Sequence, residues 1–313
     1  MVSRERNLNV DRQKVLAIVG PTGIGKTSLS VWLAKQLDGE IISCDSMQVY
    51  KKMDIGTAKV TQEEMQGIHH ELIDVQNYNE PYNVKVFQEK CRTAIEDVVK
   101  RGKFPILCGG TGLYLKAALY DYEFQEENED IAYTTFLNSK TNEELVAMLK
   151  EKDEKALEKI HPNNRKRLIR ALQICHSGTS KSEQEDKQQH IPLYDVYFLG
   201  LDVNREILHD RINKRVDIMF ENGLVKEVED LFTNPETWEY TSFQGIGYKE
   251  FKDYFLKEKS IDEVKTAIKT HSRQYAKRQY TWFKNQMPVH WFEAQNRDEI
   301  YSAVKEWLMD EDK

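Results

Sequence analysis

The sequence predicts an α/β fold, in which a parallel sheet flanked by helices is interrupted by an all-helical insertion domain. Short apolar runs alternate with amphipathic helical stretches in the first part of the chain, which is the pattern of parallel sheets. Residues 123–190 contain almost nothing strand-like, and strand-like sequence returns at 194–203. We therefore predict a catalytic core of residues 1–122 and 191–313 and an insertion domain of residues 123–190.

The first predicted strand runs directly into a glycine-rich loop. Residues 14–27 read KVLAIVGPTGIGKT and fit the pattern G-x-x-x-x-G-K-[ST]. In such a loop the backbone N–H groups turn inward, and the following helix adds the positive end of its dipole. This predicts a P-loop NTPase-like core whose phosphate cradle consists of Gly20, Pro21, Thr22, Gly23, Ile24, Gly25, Lys26 and Thr27. In this cradle Lys26 reaches a terminal phosphate and the Thr27 hydroxyl ligates Mg²⁺.

The remaining elements follow from hydrophobic spacing, helix caps and glycine stops. In the core we predict helices over 27–37, 83–101, 206–220, 224–232 and 260–284, and strands over 40–43, 104–108, 194–203 and 289–292. In the insertion we predict helices over 141–150, 152–160 and 162–175. Capping boxes open two of these helices, through Thr141 with Glu144 and Ser260 with Glu263.

Two polar side chains follow predicted strands of the core. Asp45 comes after the strand at 40–43, and Thr111 lies in the turn GGTG after the strand at 104–108. Ligands of parallel sheets bind beyond the carboxyl ends of the strands, so both side chains are expected on the rim that holds the phosphate loop. Asp45 has three open roles: it can hold Mg²⁺, accept a proton from a nucleophile or cap its own loop.

The strand at 104–108 also bears on the class of enzyme. Most P-loop ATPases and GTPases carry an apolar strand that ends in an Asp, which holds Mg²⁺. Here the candidate strand ends in GGTG instead. The sequence therefore argues against an ordinary ATPase.

Composition bounds the class of protein. The 313 residues are 40% hydrophobic, and no apolar run approaches the ~18 residues that a membrane span needs. The four cysteines are far apart and form no C-x-x-C pair, which is typical of a reducing compartment rather than of disulfides or zinc sites. We therefore expect a soluble, cytoplasmic protein.

The net charge of −7 argues at first against nucleic acid, but the distribution of charge decides binding. Residues 164–170 read NRKRLIR. Residues 264–284 contain no Asp or Glu and carry Lys265, Lys269, Arg273, Lys277, Arg278 and Lys284. The spacing of four residues predicts a basic stripe on one helix, and neighbouring aromatic side chains suit a nucleic-acid groove. The alternative is an ordinary solvated helix face.

Eight motifs in order along the chain resemble the tRNA dimethylallyltransferase (tRNA isopentenyltransferase) family. They are GPTGIGKT (20–27), DSMQVY (45–50), MDIGTAK (53–59), HHELID (69–74), GGTGLY (109–114), HPNNRKRLIRAL (161–172), QGIGYKE (244–250) and KRQYTWF (277–283). Two departures stand out. The family commonly has Ala-Ser at residues 23 and 24, and many members carry an Arg in the stretch that here reads QEENEDIAYTTF (125–136).

The resemblance implies a specific reaction. The cradle would hold dimethylallyl diphosphate, and the dimethylallyl group would pass to N6 of an adenosine next to the anticodon, at position 37 of tRNA, with release of diphosphate. Asp45 would accept the proton from N6, Thr111 would position the base, and Lys26 and Arg215 would neutralise the diphosphate. Arg211 is the alternative to Arg215.

The resemblance also implies that this chain has a surface that binds the anticodon stem-loop of tRNA. Its predicted members are Asp45, Ser46, Met47, Gln48, Thr111, Lys166, Arg167, Leu168, Ile169, Arg170, Gln244, Lys277 and Arg278. We expect Mg²⁺ as the cofactor and a monomer without an obligatory protein partner or a membrane. Two alternatives remain from the residues, a P-loop small-molecule kinase and an RNA-binding protein without catalysis, and the resemblance leaves a third, an adenylate isopentenyltransferase.

Overall fold

The computed structural model describes residues 12–124, 130–178, 180–183 and 190–310. The chain separates into two units, of which one consists of Met1–Tyr120 with Pro192–Lys313 and the other of Asp121–Ile191. The second unit begins two residues before the predicted insertion and ends one residue after it. In the described part of the chain, no helix has both the length and the apolar character that crossing a bilayer requires.

The first unit is built on a six-stranded sheet in which every pair of neighbours is parallel. The strands are β1 (Lys14–Val19), β2 (Gly39–Ser43), β3 (His70–Glu71), β4 (Phe104–Gly109), β5 (Asp195–Asp202) and β6 (His290–Glu293). Their order across the sheet is β3-β2-β4-β1-β5-β6. Strand β3 was not predicted, because two residues are too few to show a hydrophobic period.

In the described part of the chain most of the α-helices fall between these strands, and the last one follows β6. They are α1 (Lys26–Leu37), α2 (Gln62–Met65), α3 (Val84–Lys100), α4 (Gly112–Leu119), α5 (Ile131–Asn138), α6 (Asn142–Asp153), α7 (Arg165–His176), α8 (Arg205–Glu221), α9 (Leu224–Leu231), α10 (Lys252–Phe255), α11 (Ile261–Gln286) and α12 (Arg297–Met309). Both predicted capping boxes are confirmed, at the starts of α6 and α11. The prediction of a helix over 152–160 was wrong in type, because that segment forms only a short 3₁₀ helix, Glu154–Glu158.

Strand β1 shows why the sheet is covered on both faces. All five residues from Val15 to Val19 are fully buried, and alternate residues of a strand point to opposite faces. Leu16 and Ile18 pack in a core with side chains of α1 and α12. Val15 and Ala17 pack in the other core, with side chains of α3, α8 and α11. The ends of the strands therefore remain the open rim of the unit.

The second unit has a core of its own. Its buried side chains come from α5, α6, α7 and the intervening 3₁₀ helix, and they are Leu137, Leu145, Leu149, Ala156, Ile160, Leu168, Ala171 and Leu172. The polar face of α7 carries Lys166 and Arg167, which are exposed.

Candidate active site

The loop after β1 has the backbone that the glycine pattern predicts. Gly20, Gly23 and Gly25 have φ values of 142°, 80° and 106°, a region that favours glycine because other residues are strained there. Helix α1 starts at Lys26, and no side chain caps it. The first N–H groups of this helix therefore lack intrahelical partners and are available to an anion.

Lys26 lies across this loop. Its Nζ donates hydrogen bonds to the carbonyl oxygens of Gly20, at 3.0 Å, and Pro21, at 2.9 Å. Burial lowers the pKa of Lys26 to about 8, against the opposing influence of Cys108 and the carboxylate of Asp45. A lysine with this pKa is mostly charged at neutral pH and loses its charge as the pH rises through about 8, and an anion bound beside it would favour the charged form.

Asp45 and Thr111 lie at neighbouring strand ends, and backbone hydrogen bonds of Cys44 join these two strand ends. Cys44, the last residue before Asp45, donates to the carbonyl of Cys108 at 2.8 Å, and Thr111 N–H donates to the carbonyl of Cys44 at 3.4 Å. The Oδ1 atom of Asp45 accepts hydrogen bonds from the N–H groups of Met47, at 2.8 Å, and of the next residue. Asp45 therefore caps its own loop with one oxygen, and among the described residues Oδ2 has no hydrogen-bond partner.

Helix α8 brings Arg215 to the same rim. Its Nη1 donates to Thr22 Oγ1 at 3.1 Å, and its Nη2 lies 3.5 Å from the carbonyl oxygen of Thr57. Burial lowers the pKa of Arg215 and the carboxylate of Asp45 raises it. Arg211 is exposed and lines neither of the two cavities that open on this rim, and its Nη1 lies 3.5 Å from the carbonyl oxygen of Ile24. The geometry therefore favours Arg215 over Arg211.

The second half of helix α11 completes the rim. Gln279 accepts a hydrogen bond from Thr22 N–H at 2.9 Å and donates one to the carbonyl of Gly110 at 3.0 Å. A Cβ on Gly110 would lie 2.1 Å from Gln279 Nε2, and one on Gly112 would lie 2.0 Å from Trp282 Cε3. Helix α11 therefore packs closely against the GGTG turn, and Gln279 links the turn to the phosphate loop by hydrogen bonds.

Two adjoining cavities open on this rim. The larger, of about 580 Å³, is lined by the phosphate loop, Lys26, Thr27 and Gln48. The smaller, of about 400 Å³, is lined by Ser46, Gln244 and Arg278. Five residues line both cavities: Thr22, Asp45, Arg215, Met219 and Tyr275. A group bound in one cavity and a group bound in the other would therefore meet beside Asp45 and Arg215.

Comparison with known proteins identifies the family. The model of the IPP transferase family matches residues 48–286, which is well over half of the chain. The chain belongs to the IPP transferase family. This confirms the resemblance that the eight sequence motifs indicated.

Relatives of this IPP transferase cover nearly its whole length. It is 49% identical over 301 residues to a tRNA dimethylallyltransferase of Bacillus cereus, with 95% of each chain covered. A solved tRNA isopentenylpyrophosphate transferase from Bacillus halodurans has a TM-score of 0.72 and 41% identity, and the match covers 95% of this chain and 97% of that one. A eukaryotic dimethylallyltransferase acting on tRNA has a TM-score of 0.79 and 32% identity, covering 95% and 78%. The structures confirm the predicted α/β fold.

Not every predicted site residue of this family member has the expected surroundings. The side chain of Leu168 is fully buried in the core of the second unit, so the prediction that it contacts tRNA was wrong. Ile169 also packs against that core. The stretch of residues 125–136 lacks the Arg that many family members carry there. Its first five residues, 125–129, lie outside the described residues.

The basic stripe on α11 also needs correction. Lys265 and Lys269 form ion pairs with Asp217 of α8 at 2.6 and 2.7 Å. Arg273 donates a hydrogen bond to Asn213 of the same helix. These three cations hold α11 against α8, and the absence of acids on their own helix was misleading. Lys277 and Arg278 are exposed, and the Arg278 guanidinium lies 5.7 Å from the ring centre of Tyr275.

Thr57 and Gln279 were not singled out from the sequence, and Tyr275 was expected only as one of the aromatic side chains beside the basic stripe. Tyr275 and Thr57 line the cavities, and Gln279 joins the two glycine turns. Burial and the charge of Asp45 raise the pKa of Tyr275, while hydrogen bonds from Thr111 and Gln279 oppose the rise. Their positions in or next to MDIGTAK and KRQYTWF were the available signal.

At least two places among the described residues offer ligands for a metal ion. The Thr27 hydroxyl is exposed on the larger cavity, and it has no hydrogen-bond partner among the described side chains. Glu40, His69 and Glu71 also bring ligand atoms within 4.8 Å of one another. There the guanidinium of Arg101 already pairs with both carboxylates, at 2.5 and 2.8 Å, so a cation would have to displace it.

Proposed function

We propose that this chain transfers the dimethylallyl group of dimethylallyl diphosphate to N6 of the adenosine at position 37 of tRNA. Family membership supports tRNA dimethylallyl transfer over the kinase alternative. The observation that carries the finer proposal is the pair of adjoining cavities, because Asp45 and Arg215 line both of them. Donor and acceptor can therefore enter separately and react at the shared boundary.

The larger cavity suits the diphosphate. The uncapped N-terminus of α1 presents N–H groups, Lys26 supplies an ammonium group, and Arg215 supplies a guanidinium held by Thr22. Negative charge grows on the bridging oxygen as the C–O bond of the donor breaks. Donors that are fixed before the reaction stabilise this charge without reorganising.

The smaller cavity suits the adenine, which must leave its stack to be reached. The N6 lone pair forms a bond to C1 of the dimethylallyl group, the C–O bond breaks, and diphosphate takes the electron pair. N6 then carries an extra proton, which Asp45 accepts through Oδ2. The fixed turn at Oδ1 keeps this carboxylate aimed at the boundary of the cavities.

The residues present also fit Mg²⁺. Hard cations prefer oxygen ligands and usually keep several waters and phosphate oxygens, so the free hydroxyl of Thr27 at the cavity wall is a suitable protein ligand. Bound there, the ion would neutralise charge on the departing diphosphate. We propose Thr27 as the residue that holds it.

Exposed cations would bind the tRNA backbone. Lys166 and Arg167 on α7, and Lys277 and Arg278 on α11, are exposed. Phosphate contacts of this kind fix position and supply affinity without reading sequence. We also propose that the protein acts in the cytoplasm, where its tRNA substrate is available, and as a monomer.

Incubation with labelled dimethylallyl diphosphate and unmodified tRNA tests the proposal. Label should enter tRNA only when both substrates are present, and digestion should recover it on N6 of adenosine 37. Added ATP should not stimulate the transfer. Label on free adenosine monophosphate but not on tRNA would instead favour an adenylate isopentenyltransferase, and tRNA binding without transfer would favour a non-catalytic protein.

A further inference from the structure

We propose that Glu227 is a positioning residue for this reaction: it anchors the loop of residues 53–57 and, through that loop, the guanidinium of Arg215. The inference rests on the proposed function, since Arg215 matters only if the cavity holds a diphosphate. Glu227 lies on α9, is partly buried and lines neither cavity, so it would act through other residues and without contact to substrate.

The carboxylate of Glu227 receives four hydrogen bonds. Oε2 accepts from the N–H groups of Asp54, at 2.9 Å, and Ile55, at 2.7 Å. Oε1 accepts from Gly56 N–H at 3.0 Å and from the hydroxyl of Tyr248 at 2.7 Å. Three consecutive backbone N–H groups thus point at one carboxylate, which fixes the path of the loop. Hydrogen bonds to a charged acceptor are stronger than neutral ones.

The anchored loop ends at the site. The hydroxyl of Thr57 donates to the carbonyl of Met53 at 2.7 Å, which closes the turn. The carbonyl of Thr57 faces Arg215 Nη2 at 3.5 Å, and the next carbonyl, that of Ala58, accepts from Gln48 Nε2 at 3.1 Å. A shift of this loop would therefore move an acceptor of Arg215 and one of Gln48 together.

Packing leaves the loop little freedom to find another position. A Cβ on Gly56 would lie 2.5 Å from Cζ of Tyr248, whose side chain is fully buried. Gly247 has a φ of 100°, and a Cβ there would lie 2.8 Å from the carbonyl oxygen of Gly56. The motifs MDIGTAK and QGIGYKE thus pack tightly against each other at Gly56 and Gly247. The carboxylate of Glu227 supplies the oxygens that accept hydrogen bonds from both motifs.

Only a carboxylate can serve all four donors. An ionised Glu offers two oxygens with about four acceptor positions, whereas the Gln amide offers one oxygen and one NH₂ donor. In Glu227→Gln, either the pair of N–H groups at Oε2 or the pair of donors at Oε1 would meet an NH₂ group. The side-chain volume is almost unchanged, so the variant removes hydrogen bonds and not packing.

The first test compares Glu227→Gln with Glu229→Gln. Glu229 lies on the same helix and is exposed. Its variant Glu229→Gln loses the same charge but removes no hydrogen bond to the loop. Hydrogen–deuterium exchange without substrate should show the amides of residues 54–56 exchanging about tenfold faster or more in Glu227→Gln and unchanged in the control. Unchanged protection in Glu227→Gln would overturn the anchor. This measurement does not depend on the reaction, so it separates the anchor from the proposed function.

The second test is a double-mutant cycle with Arg215→Ala. Glu227→Gln alone should raise KM for dimethylallyl diphosphate about tenfold, with KM for tRNA much less affected. In the Arg215→Ala background the same change should add little. An equal penalty in both backgrounds would show that Glu227 acts only on general stability and would overturn the proposal.

A third variant guards against loss of folding. If Glu227→Gln does not fold, Glu227→Asp keeps the charge but is shorter by one methylene, and it should give faster loop exchange and a smaller rise in KM. Wild-type exchange and KM in Glu227→Asp would also overturn the proposal. A wild-type chain that transfers no dimethylallyl group would contradict the proposed function, while the exchange result would still stand.

Discussion

Helices α7 and α11 carry similar basic runs in the sequence but use them differently. In the first half of α11, Lys265 and Lys269 share Asp217 of the neighbouring helix α8. On α7, Lys166 and Arg167 are exposed and have no partner among the described residues. Sequence spacing shows which face of a helix is basic, but the partner helix decides whether the charge is already used.

The cations of the larger cavity differ from both the paired cations of α11 and the exposed cations of α7. Lys26 and Arg215 hydrogen-bond to the protein, yet burial lowers the pKa of each, which is a sign that they are incompletely compensated. These groups should control chemistry, exposed cations should control tRNA affinity, and paired cations should control only stability.

Asp45→Asn removes the proposed proton acceptor and keeps most of the loop-capping geometry. Turnover should fall at least ~10²-fold, because that is the usual scale of lost acid–base help. Affinity for dimethylallyl diphosphate should change little. Single-turnover transfer and equilibrium binding check the two halves separately, and near wild-type turnover would show that Asp45 only caps its loop.

Lys26→Met should lower kcat/KM for dimethylallyl diphosphate by about 10- to 100-fold, because one charge-assisted hydrogen bond to the diphosphate is lost. The affinity for tRNA should be unaffected. Initial rates over a range of both substrates measure this. A change confined to KM for tRNA would contradict the assignment of the larger cavity to the diphosphate.

The pH dependence of diphosphate binding follows from Lys26. Its pKa is lowered to about 8, so the ammonium is present below that pH and is lost as pH rises through it. Affinity for dimethylallyl diphosphate should therefore be steady below pH 8 and fall above it. Isothermal titration across this range would show the decline in the wild type and its absence in Lys26→Met.

The double variant Lys166→Ala with Arg167→Ala should weaken tRNA binding. Each lost phosphate contact should reduce the slope of log affinity against log salt by roughly 0.7–0.9. Binding titrations at several salt concentrations measure the slope. An unaltered slope would mean that these cations are ordinary solvated surface.

The matched double variant Lys265→Ala with Lys269→Ala should leave that slope unchanged. Both lysines are engaged by Asp217, so only stability should fall, by about 1 kcal/mol or less per pair. Chemical denaturation gives the stability, and the same salt titration gives the slope. A reduced slope here would remove the distinction between α7 and the first half of α11.

The local parts of the site could be predicted from the sequence. The phosphate loop, Asp45 and Thr111 are each specified within a few residues of a strand end, and parallel strands bring their carboxyl ends to one rim. The partners from distant elements could not be predicted. Asp217 and Glu227 reach their targets from other helices, and nothing in the spacing around Lys265 or Gly56 indicates them.

The prediction of which residues of the insertion are buried was also wrong. Leu168 stands in the middle of NRKRLIR, and its neighbours suggested a surface role. In α7 it faces the opposite side from Lys166 and packs in the core. A motif that is matched as a block assigns one role to all its members, although helical periodicity separates them into two faces.

The two glycine-rich turns differ in whether a second mutation can compensate for replacing one of their glycines by alanine. Gly20, Gly23 and Gly25 are required by their torsion angles, so a smaller neighbouring side chain would not relieve the strain of an alanine variant. Gly112 is required by the nearness of Trp282, and a smaller residue at 282 can make room for a methyl group. A suppressor screen that starts from Gly112→Ala should therefore recover changes at Trp282, whereas one that starts from Gly20→Ala should recover no such change to a smaller neighbouring side chain.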